Sequence, residues 1–108
     1  MKRGDVVVAA LQGDYGKPRP MLVIQSDAFD QLHSIAVLPL TSEIIEAPAI
    51  RVDVAPVPAN GLRVPSQVMI DKPAALPRVK IGKRIGVLDR ATLVEIDRRL
   101  AVFLGIAK

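Results

Sequence analysis

The chain has 108 residues, of which half are hydrophobic and 24% are charged. That length and composition suit one folded domain spanning residues 1–108, and they exclude a disordered tail, a fibrous repeat and a two-domain chain. The formal net charge of +4 permits a phosphate-bearing partner without requiring one, because charge governs attraction and solubility rather than fold.

Several kinds of chemistry are excluded by residue counts. There is no cysteine, which removes disulfides, thiol catalysis and cysteine-based zinc sites. His33 is the single histidine, so a histidine-rich metal site does not fit, and we expect His33 to be a surface or packing residue. No phosphate loop of Walker spacing is present, and we predict neither a metal nor a cofactor. With no signal peptide and no apolar run near the roughly 18 residues of a spanning helix, we expect a cytoplasmic protein without a membrane partner.

The predicted elements, in chain order, are strands followed by one helix. Apolar runs bounded by turn-forming residues predict strands over residues 6–11, 21–25, 34–40, 50–54 and 66–70. Ser26 and Asp27 are suited to cap a short helical turn between the second and third strands. Residues 77–82 predict a last, short extended piece.

The C-terminal segment alone has helical periodicity. Asp89 is a suitable N-cap and Gly105 a suitable C-terminal stop, and apolar residues recur between them at spacings of three and four. Strands followed by a terminal helix, with almost no βαβ alternation, predict a mainly β fold of the α+β class: an antiparallel sheet or small barrel with helical additions.

A basic segment, Gly16 to Pro20, directly precedes the second strand. Prolines on both sides of Arg19 restrict the backbone, so the guanidinium can be held in place, and a fixed guanidinium suits a phosphate. The alternative is a strand-entry turn with solvated charges, which the residue types alone favour.

Two hydroxyl residues, Thr41 and Ser42, end the third strand. Such hydroxyls commonly do no more than cap a turn. If the second and third strands form an antiparallel pair joined by the turn at 26–33, however, the start of one lies beside the end of the other. Arg19 and Thr41 would then be neighbours by topology.

Five segments in order resemble the MazF/PemK family of toxin ribonucleases. They read MKRGDVVV (1–8), GKPRPMLVIQ (16–25), VLPLTS (37–42), GLRVPSQVMIDK (61–72) and RIGVL (84–88), the last followed by the helix and Leu-Gly-Ile at 104–106. The match spans nearly the whole chain. The resemblance implies an SH3-like small barrel with a C-terminal helix, a fold that the family shares with the gyrase-poisoning CcdB toxins.

The resemblance also implies a function and a site. Family members are homodimers that cut single-stranded RNA at short sequences without a metal, and a cognate antitoxin with an acidic tail silences them. By the resemblance, Arg19 and Thr41 carry cleavage, while Ser66 and Gln67 help to line the RNA groove. The reaction expected is attack by the RNA's own 2′-hydroxyl, leaving a 2′,3′-cyclic phosphate and a 5′-hydroxyl. The further residues expected to contact RNA or attract its backbone are Lys17, Ser42, Arg63, Lys72, Arg78 and Lys80.

One departure from the family pattern and two alternatives remain. Residues 7–10 lack the bulky aromatic residue that the family often has there, and Tyr15, Phe29 and Phe103 are the only residues of the Phe, Tyr and Trp types in the chain. Few aromatic side chains are therefore present to stack against RNA bases. The first alternative is a gyrase poison on the same fold, against which the absence of tryptophan argues. The second is a non-catalytic barrel that binds nucleic acid or protein.

Overall fold

The computed structural model describes residues 1–11 and 17–108, so Tyr15 and Gly16 lie outside the described part. Within these described ranges, two short 3₁₀ turns occur, at Asp27–Phe29 and Arg78–Lys80. Across the described residues, the regular elements are the strands β1 (Asp5–Ala9), β2 (Arg19–Val23), β3 (Ser34–Thr41), β4 (Arg51–Val54), β5 (Ser66–Met69), β6 (Ala74–Pro77) and β7 (Ile81–Val87) and the helix α1 (Arg90–Phe103).

The strands form one antiparallel sheet with the order β4-β5-β3-β2-β1-β7. The long strand β3 pairs with two strands in succession along one edge. β6 pairs with the first half of β3, from Ser34 to Val37, and β5 pairs with its end, at Leu40 and Thr41. This arrangement confirms the mainly β fold with a C-terminal helix.

The prediction for residues 77–82 is wrong. Instead of one extended piece, that segment contains the end of β6, a helical turn and the start of β7. β6 escapes detection because it is four residues long and flanked by prolines, and it is extended only through its pairing with β3. β7 contains two glycines and two cations, so it lacks the apolar alternation of a strand, yet it pairs with β1 through two register shifts.

Two apolar clusters fill the two sides of the sheet. Val6 and Leu22 belong to the main cluster, which Ile96 of α1 joins, whereas their chain neighbours Val7 and Met21 belong to the second cluster. Successive side chains in a strand point to opposite faces, so β1 and β2 are buried on both sides. This explains the near-continuous apolar run of the second strand.

Both ends of α1 are capped as the sequence predicts. The Asp89 carboxylate accepts a hydrogen bond from the Thr92 backbone N–H at 3.0 Å, and Asp89 is the N-cap. At the other end Gly105 has φ +77°, and the N–H groups of Gly105 and Ile106 donate to Val102 O and Ala101 O, which is the Schellman pattern. At 14 residues α1 is short, and no helix in the described ranges has the length and apolarity to cross a membrane.

Ion pairs fix the exposed side of α1. Hydrogen bonds from the guanidinium groups of Arg98 and Arg99 lower the pKa of Glu95 to about 2. Asp97, on the same helix, pairs with Arg3 beside β1. The helix is therefore tied to the start of the chain as well as to the core.

Candidate active-site cleft

A cleft of about 580 Å³ opens where β2 begins and β3 ends. It brings together six of the ten residues that the sequence proposes as catalytic, as RNA-binding or as attracting the RNA backbone: Lys17, Arg19, Thr41, Ser42, Arg63 and Ser66. Its apolar lining comes from Val8, Pro18, Pro20, Leu40, Leu62, Val64 and Ile85, with Gly61 between them.

Arg19 and Thr41 meet through the register of the β2–β3 pair. Met21 lies opposite Pro39 in this pair, and extending the register by two residues brings Arg19 opposite Thr41. Directly opposed residues of antiparallel strands have Cβ atoms roughly 5 Å apart. The topological expectation drawn from the turn at 26–33 is confirmed: β2 and β3 are an antiparallel pair, and both residues line the cleft.

The Thr41 hydroxyl is set up as a donor. Its oxygen accepts a hydrogen bond from the Glu43 backbone N–H at 3.1 Å, and the residue is 8% exposed. A hydroxyl carries one donor hydrogen and two acceptor lone pairs. Because the backbone N–H occupies an acceptor position, the hydroxyl hydrogen can be donated to a ligand oxygen in the cleft.

The facing wall is a loop between β4 and β5 that lies against β7. The Asn60 side chain fixes this loop, accepting from the N–H groups of Val57 and Leu62 and donating to Ala55 O. Gly61 has φ +71°, and a Cβ there would lie 2.1 Å from Ile85 O. Asn60 and Gly61 form a turn whose close approach to β7 carries Leu62 and Arg63 into the cleft.

The charge of the cleft suits an anion. Lys17, Arg19 and Arg63 contribute cationic side chains, and no Asp or Glu belongs to the lining that the described residues form. The hydroxyl of Ser66 donates to Val64 O at 3.0 Å, which leaves its lone pairs for a donor on a ligand. Phosphate groups fit such a surface through charge and hydrogen bonds.

Gln67 and Lys72 lie outside this lining. Gln67 is 3% exposed, and its amide bonds to Ile45, Arg51 and Asp53. Lys72 is exposed, with its ammonium 4.0 Å from the Asp71 carboxylate. Arg78 and Lys80 are also outside, on the 3₁₀ turn before β7, where the Arg78 guanidinium donates to Leu32 O.

Two apolar contributors, Leu62 and Ile85, are absent from the sequence-based candidates. The signal for Leu62 was its place directly after the Asn-Gly turn, within the GLRVPSQ segment. For Ile85 the signal was its place within the RIGVL segment, although β7 is not recognisable as a strand from its own residues. Its position in the cleft follows only from pairing with β1.

Comparison with known proteins decides the family. The sequence model of one protein family, described as "PemK-like, MazF-like toxin of type II toxin-antitoxin system", matches residues 2–104 of this chain. The chain belongs to this family. A curated relative from Mycolicibacterium smegmatis (strain ATCC 700084 / mc(2)155), "Probable endoribonuclease MazF", is 47% identical over 108 residues, covering 99% of this chain and 99% of its own.

Solved structures of toxins share the fold. The Mycobacterium tuberculosis toxin MazF-mt6 superposes with a TM-score of 0.82 at 23% identity, over 96% of this chain and 99% of its own. A mycobacterial endoribonuclease in complex with its cognate antitoxin gives a TM-score of 0.81 at 24% identity, over 100% of this chain and 98% of its own. These likenesses confirm the expected toxin fold with its C-terminal helix.

Proposed function

We propose that this PemK/MazF-like toxin is an endoribonuclease that cleaves single-stranded RNA in the cytoplasm without a metal. The observation that carries the proposal is the cleft in which Arg19 lies beside Thr41, with cations and no described carboxylate in its lining. The likeness over the full chain to a probable endoribonuclease supports the same activity.

The proposed reaction uses the RNA's own 2′-hydroxyl as nucleophile. Its oxygen bonds to the adjacent phosphorus and gives up its proton, while the bond from phosphorus to the 5′-oxygen breaks and that oxygen takes a proton. The products are a 2′,3′-cyclic phosphate and a 5′-hydroxyl. Such a displacement needs positioning and stabilisation of the charge that develops on the phosphoryl oxygens.

In this reaction Arg19 acts through its charge and its hydrogen bonds. The planar guanidinium presents parallel N–H donors to two phosphoryl oxygens. Thr41 donates its hydroxyl hydrogen to a phosphoryl oxygen. Both groups stabilise the five-coordinate phosphorus more than the starting diester, because the negative charge on the oxygens rises there.

RNA binding is proposed to extend over the rest of the cleft. Lys17 and Arg63 attract the phosphate backbone, and Ser42 and Ser66 offer hydroxyls. Lys72 is outside the cleft, so its part is long-range attraction only. Gln67 is left out of direct RNA contact, because its amide is already bonded within the protein.

Two partners complete the proposal. An antitoxin with an acidic, extended tail is proposed to occupy the cationic cleft in place of RNA.

A second copy of the chain is proposed to cover exposed apolar side chains, which include Phe103, Leu104 and Ile106 near the C-terminus. Light scattering at micromolar concentration is expected to give twice the chain mass of 11.6 kDa, and a monomer alone would contradict the dimer.

Digestion of a long single-stranded RNA in EDTA tests the activity. The protein is expected to give discrete fragments carrying 5′-hydroxyl and 2′,3′-cyclic phosphate ends, and an Arg19→Ala preparation controls for contaminating nucleases. Intact RNA would overturn the enzyme assignment. Fragments with 5′-phosphate ends would instead overturn the 2′-hydroxyl mechanism.

A further inference from the structure

We propose that Gln67 is a positioning residue for cleavage: its buried amide holds the segment that follows Thr41 and thereby fixes the Thr41 hydroxyl in the cleft. This inference rests on the proposed ribonuclease activity. Gln67 belongs to β5 and lies outside the cleft lining, so any effect on the reaction passes through its neighbours.

The Gln67 amide bonds to the backbone of Ile45 as a neighbouring strand would. Its oxygen accepts from Ile45 N at 3.2 Å, and its nitrogen donates to Ile45 O at 3.0 Å. The oxygen also accepts from Arg51 Nη1 at 2.9 Å, and the nitrogen donates to Asp53 Oδ1 at 2.8 Å. An amide has two donor hydrogens and two acceptor lone pairs, and all are used here.

The segment held in this way has little packing of its own. Residues 42–46 are exposed, including Ile44 at 53% and Ile45 at 40%, and none lies in a helix or strand. Arg51 adds a second anchor, because the Nη1 that bonds to Gln67 also donates to Glu43 O at 3.0 Å. Hydrogen bonds from β4 and β5 therefore determine where this segment lies.

The segment is joined directly to the Thr41 hydroxyl. Glu43 donates its backbone N–H to the Thr41 hydroxyl, and Arg51 bonds to the carbonyl of the same Glu43. Thr41 and Gln67 are also opposite each other in the β3–β5 pair. Releasing the Gln67 amide would free Ile45 and loosen Glu43, so the Thr41 hydroxyl would lose its fixed orientation.

The chain offers a matched control at the other end of the β2–β3 hairpin. The Gln25 amide links the turn at 26–33 to β3, accepting from Ala36 N at 3.0 Å and donating to Phe29 O at 2.8 Å. No residue of that turn lines the cleft. Gln25→Met therefore removes a comparable anchor without touching the site.

The test compares single-turnover RNA cleavage by wild type, Gln67→Met and Gln25→Met, with unfolding temperatures measured in parallel. Misplacement of a reacting group by an ångström costs up to about 100-fold in rate, so we expect Gln67→Met to lower the rate constant at saturating protein about 10-fold or more. The half-saturating concentration is expected to change less than about twofold, because no RNA contact is lost. Gln25→Met is expected to leave both constants within about twofold of wild type.

A double-mutant cycle with Thr41→Ala identifies the route. If Gln67 acts through the Thr41 hydroxyl, Gln67→Met adds less than about twofold once that hydroxyl is gone. Multiplicative losses of rate in the double mutant would overturn the proposal. A higher half-saturating concentration at an unchanged rate, or an equal rate loss in Gln25→Met, would also overturn it.

Should Gln67→Met fail to fold, Gln67→Glu is the second variant. It keeps the acceptor for Ile45 N and removes the donor to Ile45 O, and an unchanged cleavage rate in Gln67→Glu would overturn the proposal. Failure of the ribonuclease assignment is distinguishable, because wild type itself would then leave RNA intact.

Discussion

At the scale of single residues, the proposed reaction depends on Arg19 being a guanidinium rather than merely a cation. Arg19 lines the cleft at the start of β2, opposite the end of β3, and its guanidinium is proposed to present two parallel N–H donors to one phosphate. Lysine carries the same charge, but it is concentrated on one ammonium group that lacks the planar pair of N–H donors. The two side chains therefore make different predictions for cleavage.

Arg19→Ala is expected to lower RNA cleavage by on the order of 100-fold or more, because a donor aimed at the transition state is lost. Arg19→Lys is expected to recover only a small part of that loss. Cleavage rates are measured by gel or fluorescence assay, with circular dichroism and the unfolding temperature as controls for the fold. A well-folded Arg19→Ala protein that cleaves at the wild-type rate would remove Arg19 from the mechanism.

Most candidate site residues were predictable, and Gln67 shows why the rest were not. Arg19 and Thr41 could be placed together from topology alone, because a hairpin brings the start of one strand to the end of the next. Ser66 and Gln67 are adjacent in the sequence and were assigned together, but neighbouring side chains of a strand point to opposite faces. Ser66 lines the cleft, and Gln67 bonds to the segment after Thr41.

At the scale of elements, the helix and the first strands follow from local sequence, whereas β6 and β7 do not. Asp89 and Gly105 mark the ends of α1 through hydrogen bonds and backbone angles that depend on those residues themselves. β6 and β7 are extended because β3 and β1 lie beside them. Partners distant in the sequence supply that information.

Glu95 gives α1 a measurable pH dependence. Hydrogen bonds from Arg98 and Arg99 lower the pKa of Glu95 from 4.5 to about 2 in the folded protein. A lowered folded-state pKa contributes stability that is present above about 4.5 and is lost as the pH falls toward 2. Glu95→Gln is expected to lower the unfolding temperature at pH 7, with the difference from wild type narrowing below pH 4.5. Glu46→Gln, on the exposed loop before β4, is the control, and a difference for Glu95→Gln that is constant with pH would contradict the expectation.

Gly86 determines how closely the wall of the cleft approaches β7. A Cβ at Gly86 would lie 2.4 Å from Asn60 C and 2.5 Å from Ala59 O, so this backbone has to move. We expect Gly86→Ala to destabilise the fold by about 1–3 kcal/mol and to reduce RNA cleavage, since Leu62 and Arg63 move with the loop. Urea unfolding measures the first effect.

Gly105→Ala separates lack of space from backbone strain. Gly105 has φ +77°, and no atom of the described residues lies within 4 Å of a Cβ at this position, so its substitution costs about 1–2 kcal/mol of left-handed strain alone. Cleavage is expected to be retained in this variant. Equal retention of cleavage in Gly86→Ala would show that the loop position does not matter to the site.

At the scale of the whole molecule, one cationic cleft is proposed to serve two partners. RNA and the acidic tail of an antitoxin both present negative charge along an extended chain, and ordering the tail costs free energy that apolar contacts offset. Leu62, Val64 and Ile85 supply apolar surface beside the cations Lys17 and Arg63. The two partners are therefore expected to exclude each other.

Competition and salt dependence test this shared surface. The tail peptide is expected to be displaced by saturating RNA, and Arg19→Ala is expected to weaken the binding of both partners. The association rate of the tail peptide is expected to fall as the salt concentration rises, because salt screens the charges over a Debye length of about 10 Å at 0.1 M. The dissociation rate of the peptide is expected to change less. Stopped-flow fluorescence measures both rates. Undiminished tail binding in saturating RNA would indicate a separate site.

The central claim is that the protein holds RNA so that the RNA's own 2′-hydroxyl cleaves it. The most direct measurement uses an oligonucleotide containing one mapped cleavage position, with a single 2′-deoxy nucleotide on the 5′ side of the scissile bond, assayed in EDTA beside the all-ribose strand. We predict cleavage of the all-ribose strand and none at the modified position. Cleavage at the 2′-deoxy position would contradict the account.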